Sequence, residues 1–125
     1  MRNPRNRFVV RFLFCIAVLA GLLALRPVNS PTPENCEVIH GVAKAVEPGT
    51  GDGDFVVHLA NDDARYYINR GIERGLELRD LQESLEGQEI TLAYVRHWST
   101  LNLAGHNRHI ARISVDGQEI YSEMQ

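Results

Sequence analysis

The chain has 125 residues, 44% of them apolar, with 13 basic and 16 acidic side chains and a formal charge of −3. Such a length suits a single folded domain. The charge is unevenly spread: Arg2, Arg5, Arg7, Arg11 and Arg26 lie in the first 26 positions with no acid among them, which leaves 8 basic against 16 acidic residues, a charge of −8, for the rest. A body this acidic repels nucleic acid and anionic lipid, so no nucleic-acid partner is expected.

Residues 1–7 form a basic tip, and Phe8 to Leu25 is apolar apart from Arg11. Those eighteen residues as a helix reach about 27 Å, close to the roughly 30 Å hydrocarbon thickness of a bilayer. Arg11 lies near one end, where it can snorkel. A buried helix of a soluble protein this small would show a polar face, which this segment lacks. A cleaved signal peptide shares the basic start and the apolar run, but needs small residues at −3 and −1 of the cut. Ala24-Leu25-Arg26 fails that test, and Val28-Asn29-Ser30 is followed directly by Pro31, so an uncleaved transmembrane anchor is the expectation. Cys15 follows Leu13-Phe14 without the small residue usual before a lipidated cysteine. Arg2, Arg5 and Arg7 precede the segment, Arg11 lies at its start and only Arg26 follows it closely, which puts the N-terminus in the cytoplasm and the remaining chain in the periplasm or exterior. The interior of the span carries no charge, which argues against transport.

Residues 26–35 hold three prolines and read as a tether, an extended chain of about 3.1 Å per residue. Two cysteines, one of them within the apolar segment, do not make a disulfide framework. Cys36, beside the tether, reads as a lone half-buried thiol or as the donor of an intermolecular bridge.

From residue 36 to 125 the pattern is short apolar runs broken by Gly, Asn and Asp, the signature of strands and turns. Cys36 to Glu47 is predicted as a long strand marked by Val38, Val42 and Val46, with a bulge or bend at Gly41. Phe55 to Ala60 is a second strand with Phe55, Val57 and Leu59 on one face, and Arg65 to Ile68 a third with Tyr66 and Ile68 sharing a face. Leu78, Leu81 and Leu85 recur at helical spacing before Gly87, which predicts a helix of about ten residues capped by that glycine. Glu89 to His97 returns to strand with Ile90, Leu92 and Tyr94 inward. After the loop 98–107, Arg108 to Val115 places Ala111, Ile113 and Val115 on one side, and Asp116-Gly117 turns the chain into a final edge strand, Gln118 to Ser122.

The order of three strands, a helix and two strands, opened by a long bent strand, resembles the OB-fold, a small five-stranded Greek-key barrel. An SH3-like barrel is the rival, although it needs no helix at Leu78 to Leu85. The fold class expected is therefore mainly β with one short helix, an OB-like barrel after an N-terminal transmembrane helix. Folds of this kind bind oligonucleotides, oligosaccharides or proteins, so the architecture does not select a function.

No nucleophile elbow, cofactor loop or complete metal-ligand set is present, and neither an enzyme nor a cofactor is expected. His106 and His109 are spaced as His-x-x-His with His97 at the far end of the same loop, a weak metal signal against the plainer reading that His109 hydrogen-bonds at the barrel's end. Arg70-Gly71-Ile72-Glu73-Arg74-Gly75 offers two arginines to an anion, or pairs them with Glu73, Glu77 and Asp80. Trp98, the single tryptophan, sits in an apolar loop suited to partner contact or to covering the barrel mouth. The function expected is a membrane-anchored binding or assembly module of the cell envelope, bound to lipid through its N-terminal segment and to a protein partner through Trp98, His97, Arg70 and Arg74. The alternative is a small-molecule, glycan or metal-binding domain using the loop from His97 to His109.

Overall fold

The structure, a computed structural model, describes residues 4–25, 30–96 and 106–124. The chain divides into two compact units, one containing the N-terminal helix and the other the β domain. Helix α1 spans Pro4–Ala24, 21 residues with none buried. Proline at the first helical position costs no hydrogen bond, and the apolar run behind it presents hydrocarbon on every side. At about 31 Å this helix is long and apolar enough to cross a membrane, properties that a signal sequence shares.

The second unit carries β1 (Cys36–Pro48), β2 (Phe55–Leu59), β3 (Arg65–Ile68), α2 (Leu78–Leu85), β4 (Glu89–Val95), β5 (Asn107–Val115) and β6 (Gln118–Ser122). The strands run in the order β3-β2-β1-β4-β5-β6, and a parallel pairing of β3 with β5 closes β1 to β5 into a five-stranded barrel consistent with an OB-like fold. Closure through β1 depends on its length. Residues 36–42 pair with β4, while residues 43–48 pair with β2.

The bend in β1 lies at Lys44 and not at Gly41. Register slips between Ala43 and Ala45, leaving Lys44 as the extra residue. Gly41 stays in regular register opposite Ile90, and its missing side chain makes room for Leu59, whose Cδ1 would stand 3.3 Å from a Cβ there. The slip puts Ala43 and Val46 in the core, whereas Val38 and Val42 remain on the outside. Backbone groups at the slip are satisfied by α2 and the two residues after it. Gln82 Nε2 donates to the Val46 carbonyl at 3.0 Å, the Val46 N–H donates to Glu86 Oε1 at 3.0 Å, and the Gly87 N–H donates to the Ala43 carbonyl at 2.8 Å. Gly87, at φ +80°, takes the left-handed conformation expected of a helix stop. Eight residues form α2, with Leu81 and Leu85 buried and Leu78 packed against the core.

The inward sets Phe55, Val57, Leu59, then Tyr66, Ile68, then Ile90, Leu92, Tyr94 all belong to one core cluster. On β5 the phase differs from expectation. A second slip, opposite Ala93 and Tyr94, makes Ala111 the extra residue, so Ile110 and Ile113 both face the core. His109 and Ala111 are buried outside that core cluster. Asp116 at φ +50° and Gly117 at φ +77° make the hairpin turn into β6 that an Asp-Gly pair favours.

Candidate functional site

Beyond β3 the chain turns sharply over residues 69–76. Arg70 adopts φ +54°, and its N–H donates to Asp54 Oδ1 at 2.8 Å. Ile72 N–H donates to the Gly53 carbonyl at 3.1 Å, and Leu76 N–H returns to the Gly71 carbonyl at 3.0 Å. Between them Gly71 lies on the ring of Phe55, where a Cβ would stand 2.5 Å from Cδ2. Glycine is therefore required by contact: the turn is seated on a core aromatic. Its outward side carries Arg70, Glu73 and Arg74 around Ile72, which is 62% exposed.

Arg74 does not pair with the local acids Glu73, Glu77 or Asp80, the partners that its sequence neighbourhood offers. Its Nε donates to the Asn69 carbonyl at 3.2 Å, and Nη2 stands 3.5 Å from Oε1 of Glu123, 49 positions along the chain. Backbone pairing of Glu123 N–H with the Ala111 carbonyl at 2.8 Å holds the C-terminal segment along β5 and brings the carboxylate to this point.

Glu123 is the centre of a compact polar cluster. Its Oε2 lies 2.7 Å from His109 Nε2, its Oε1 accepts a hydrogen bond from the Tyr121 hydroxyl, and the side chains of His109 and Glu123 are 10% and 6% exposed. Tyr67 meets the His109 ring edge to face at 5.3 Å. Burial pushes the Glu123 carboxyl up, but hydrogen bonds from His109 and Tyr121 and the charges of His109 and Arg74 outweigh it, so the group titrates below its ordinary value. Burial, then the hydrogen bond to Glu123, raise Tyr121, and burial with the charges of Asp54 and Glu123 raises Tyr67.

Beside this cluster opens a cleft of about 320 Å³ lined by Ser30, Pro31, Thr32, Arg74 and Glu123. Its far wall is ordered by Asn35, whose Oδ1 accepts from the Thr32 N–H at 2.8 Å and whose Nδ2 donates to the Ser30 carbonyl at 2.9 Å. Arg96 fixes the same segment to the end of β4, donating its N–H to the Asn35 carbonyl at 2.8 Å and its guanidinium to the Glu34 carbonyl.

A second polar network occupies the barrel mouth. Arg108 Nη1 donates to the Tyr66 hydroxyl at 2.7 Å, which donates to Asp62 Oδ2 at 2.6 Å, and the Tyr94 hydroxyl donates to Glu37. The guanidinium also lies 4.8 Å from the centroid of Tyr94 and 5.5 Å from that of Tyr66. Burial and the bond to Asp62 push Tyr66 up to about 12. For Asp62, burial acts upward, yet the donors Tyr66 and Ala64 and the charge of Arg108 bring it below its usual value. These groups satisfy one another, and among the described residues no buried side-chain polar atom lacks a partner.

Of the residues singled out in the sequence, the structure joins Arg74 and His109 through Glu123. Arg70 stands at the other end of the turn from Arg74. His106 is exposed, and its carbonyl accepts from the Arg65 N–H. His97 and Trp98 lie outside the described residues. No group of three His, Cys, Asp or Glu side chains suited to a metal occurs among the described residues, and His109 turns Nε2 to Glu123. Cys15 and Cys36 are both free thiols, and burial pushes the Cys36 thiol up.

Comparison with protein families, with curated proteins and with solved structures finds no match to this chain.

Proposed function

We propose that this chain is a membrane-tethered binding module of the cell envelope that docks a protein partner. Helix α1 anchors it, with the N-terminus cytoplasmic and the barrel in the periplasm or exterior. This orientation rests on the arginines at the start of the apolar run against the single Arg26 that follows it closely.

The observation that carries docking is the turn over residues 70–74. It presents an exposed isoleucine between two exposed arginines on a backbone braced by Asp54, Gly53 and Phe55. A rigid apolar contact beside guanidinium groups loses little conformational entropy on binding, and arginine is enriched where partners bind most strongly. Trp98 supplies a second contact in this reading.

Mild crosslinking in membranes, capture of the full-length chain in detergent and mass spectrometry test it. A partner enriched reproducibly, and depleted by Arg70→Ala or Trp98→Ala, supports docking. If both variants retain every association of the parent chain, the proposal fails.

A small-molecule or glycan site is the second reading, and the cleft beside Arg74 favours it over the loop from His97 to His109. Metal binding through His106 and His109 is the weaker form, because Nε2 of His109 is engaged by Glu123.

A further inference from the structure

We propose that the cleft between Ser30-Pro31-Thr32 and Arg74 is a carboxylate-binding site. It rests on the second reading above, and it shares Arg74 with the docking turn without drawing on Arg70 or Ile72.

A guanidinium carries five N–H donors in a rigid plane, and an edge with two parallel donors matches a carboxylate. In Arg74 the orientation of that plane is set from two sides, by the Asn69 carbonyl on Nε and by Glu123 near Nη2. Glu123 nevertheless does not saturate it. The oxygens of Glu123 are taken at short range by His109 and Tyr121, and the 3.5 Å left to Arg74 exceeds the roughly 2.7–2.9 Å of a charge-assisted bond. Donors on Nη1 and Nη2 therefore keep capacity for a second anion, in a side chain that is 44% exposed and lines the cleft.

The rest of the cleft suits the same ligand. Ser30 and Thr32 offer hydroxyl donors on a segment fixed by Asn35, so their placement is set before a ligand arrives. Repulsion from Glu123 is blunted by its own partners. Taken together, Arg74, His109 and Glu123 are neutral with His109 uncharged and carry +1 with it protonated. A volume of about 320 Å³ accepts a small molecule or a single acidic side chain. The charge of −8 on the body gives no long-range attraction for anions, so affinity rests on these directed contacts.

The test is titration of the full-length protein in detergent micelles with succinate, with its uncharged diamide, and with a short glutamate-containing peptide, followed by side-chain and amide shifts in NMR spectra. Saturable succinate binding with a Kd of about 1 mM is expected, with none for the diamide. Arg74→Gln should weaken it about tenfold or more, as loss of a charge-assisted pair does, while Arg79→Gln, at an exposed arginine of α2, leaves it unchanged. Should Arg74→Gln fail to fold, the double variant Ser30→Ala/Thr32→Ala takes its place and should weaken succinate binding several-fold. Tighter binding of the peptide than of succinate assigns the site to an acidic side chain of a partner, and the reverse assigns it to a free small carboxylate. No saturable binding of either carboxylate up to about 50 mM overturns the proposal, as does undiminished binding in the folded variant.

Discussion

Oε2 of Glu123 stands 2.7 Å from Nε2 of His109, both side chains almost wholly shielded from water. The contact joins the last described residues of the chain to the start of β5, and through Arg74 to the turn after β3. Three segments distant in sequence are thus held by one carboxylate.

Removing that carboxylate leaves His109, Tyr121 and Arg74 facing an empty space. Breaking a buried, hydrogen-bonded pair costs about 3 kcal/mol, so Glu123→Ala should lower the unfolding free energy by that amount. Tyr121→Phe removes only one donor and should cost about 1 kcal/mol. Urea midpoints at equal m-values measure both. A loss for Glu123→Ala no larger than for an exposed site such as Glu119→Ala would remove the cluster from any account of stability.

The same group sets an acid limit. Its folded pKa lies below the ordinary 4.5, so its contribution is present in full above the unfolded value and is lost as pH falls through the folded one. Stability should hold from neutrality to about pH 5 and decline below it, with a shallower decline in Glu123→Gln. Asp62, lowered in the same direction, keeps part of the slope in that variant. Chemical unfolding repeated across this range decides the matter. Equal slopes in the two proteins would contradict the assignment to Glu123.

Much of the barrel was legible in the sequence, because alternation marks faces and Asp116-Gly117 marks a turn. What escaped was the phase after each slip. An extra residue such as Lys44 or Ala111 leaves no compositional trace, yet it reverses which of the neighbouring side chains point inward, and so Ile110 replaced Ala111 in the core. The candidate site was legible only in part. Arg74 and His109 stood out as residue types, whereas Glu123 draws its role from pairings 14 and 49 positions away, which no local pattern reports. A carboxylate two residues after Tyr121 was the one local clue.

Gly71 has a sharper consequence. A methyl group there would overlap the Phe55 ring, which lies in the core and has no free side to move toward. Gly71→Ala should therefore destabilise the fold by about 1–3 kcal/mol. Gly75→Ala, at φ +83° with open space around it, isolates the cost of backbone conformation alone, about 1–2 kcal/mol. Thermal unfolding of the two variants separates overlap from strain. Gly71→Ala with parent stability would show that the turn is not seated on Phe55.

Arg70 is the reverse case, an exposed non-glycine residue at φ +54°. Asparagine tolerates that conformation better than arginine, so Arg70→Asn should raise stability by about 0.5 kcal/mol. In the proposed reading the same change weakens partner capture, a trade in which function and stability separate. A variant that is less stable than the parent would place the arginine side chain in a structural role instead.

The orientation of the barrel relative to the membrane is tested most directly by a single introduced thiol. Lys44 is exposed at the slip in β1, so Lys44→Cys in a background of Cys15→Ser and Cys36→Ser gives one accessible reporter on the barrel surface. Intact cells producing this variant are treated with a membrane-impermeant maleimide before and after lysis. Full labelling before lysis, with the chain resistant to alkaline extraction from membranes, is the result expected of an anchored barrel outside the cytoplasm. Labelling only after lysis would put the barrel inside, and release by alkali would remove the anchor.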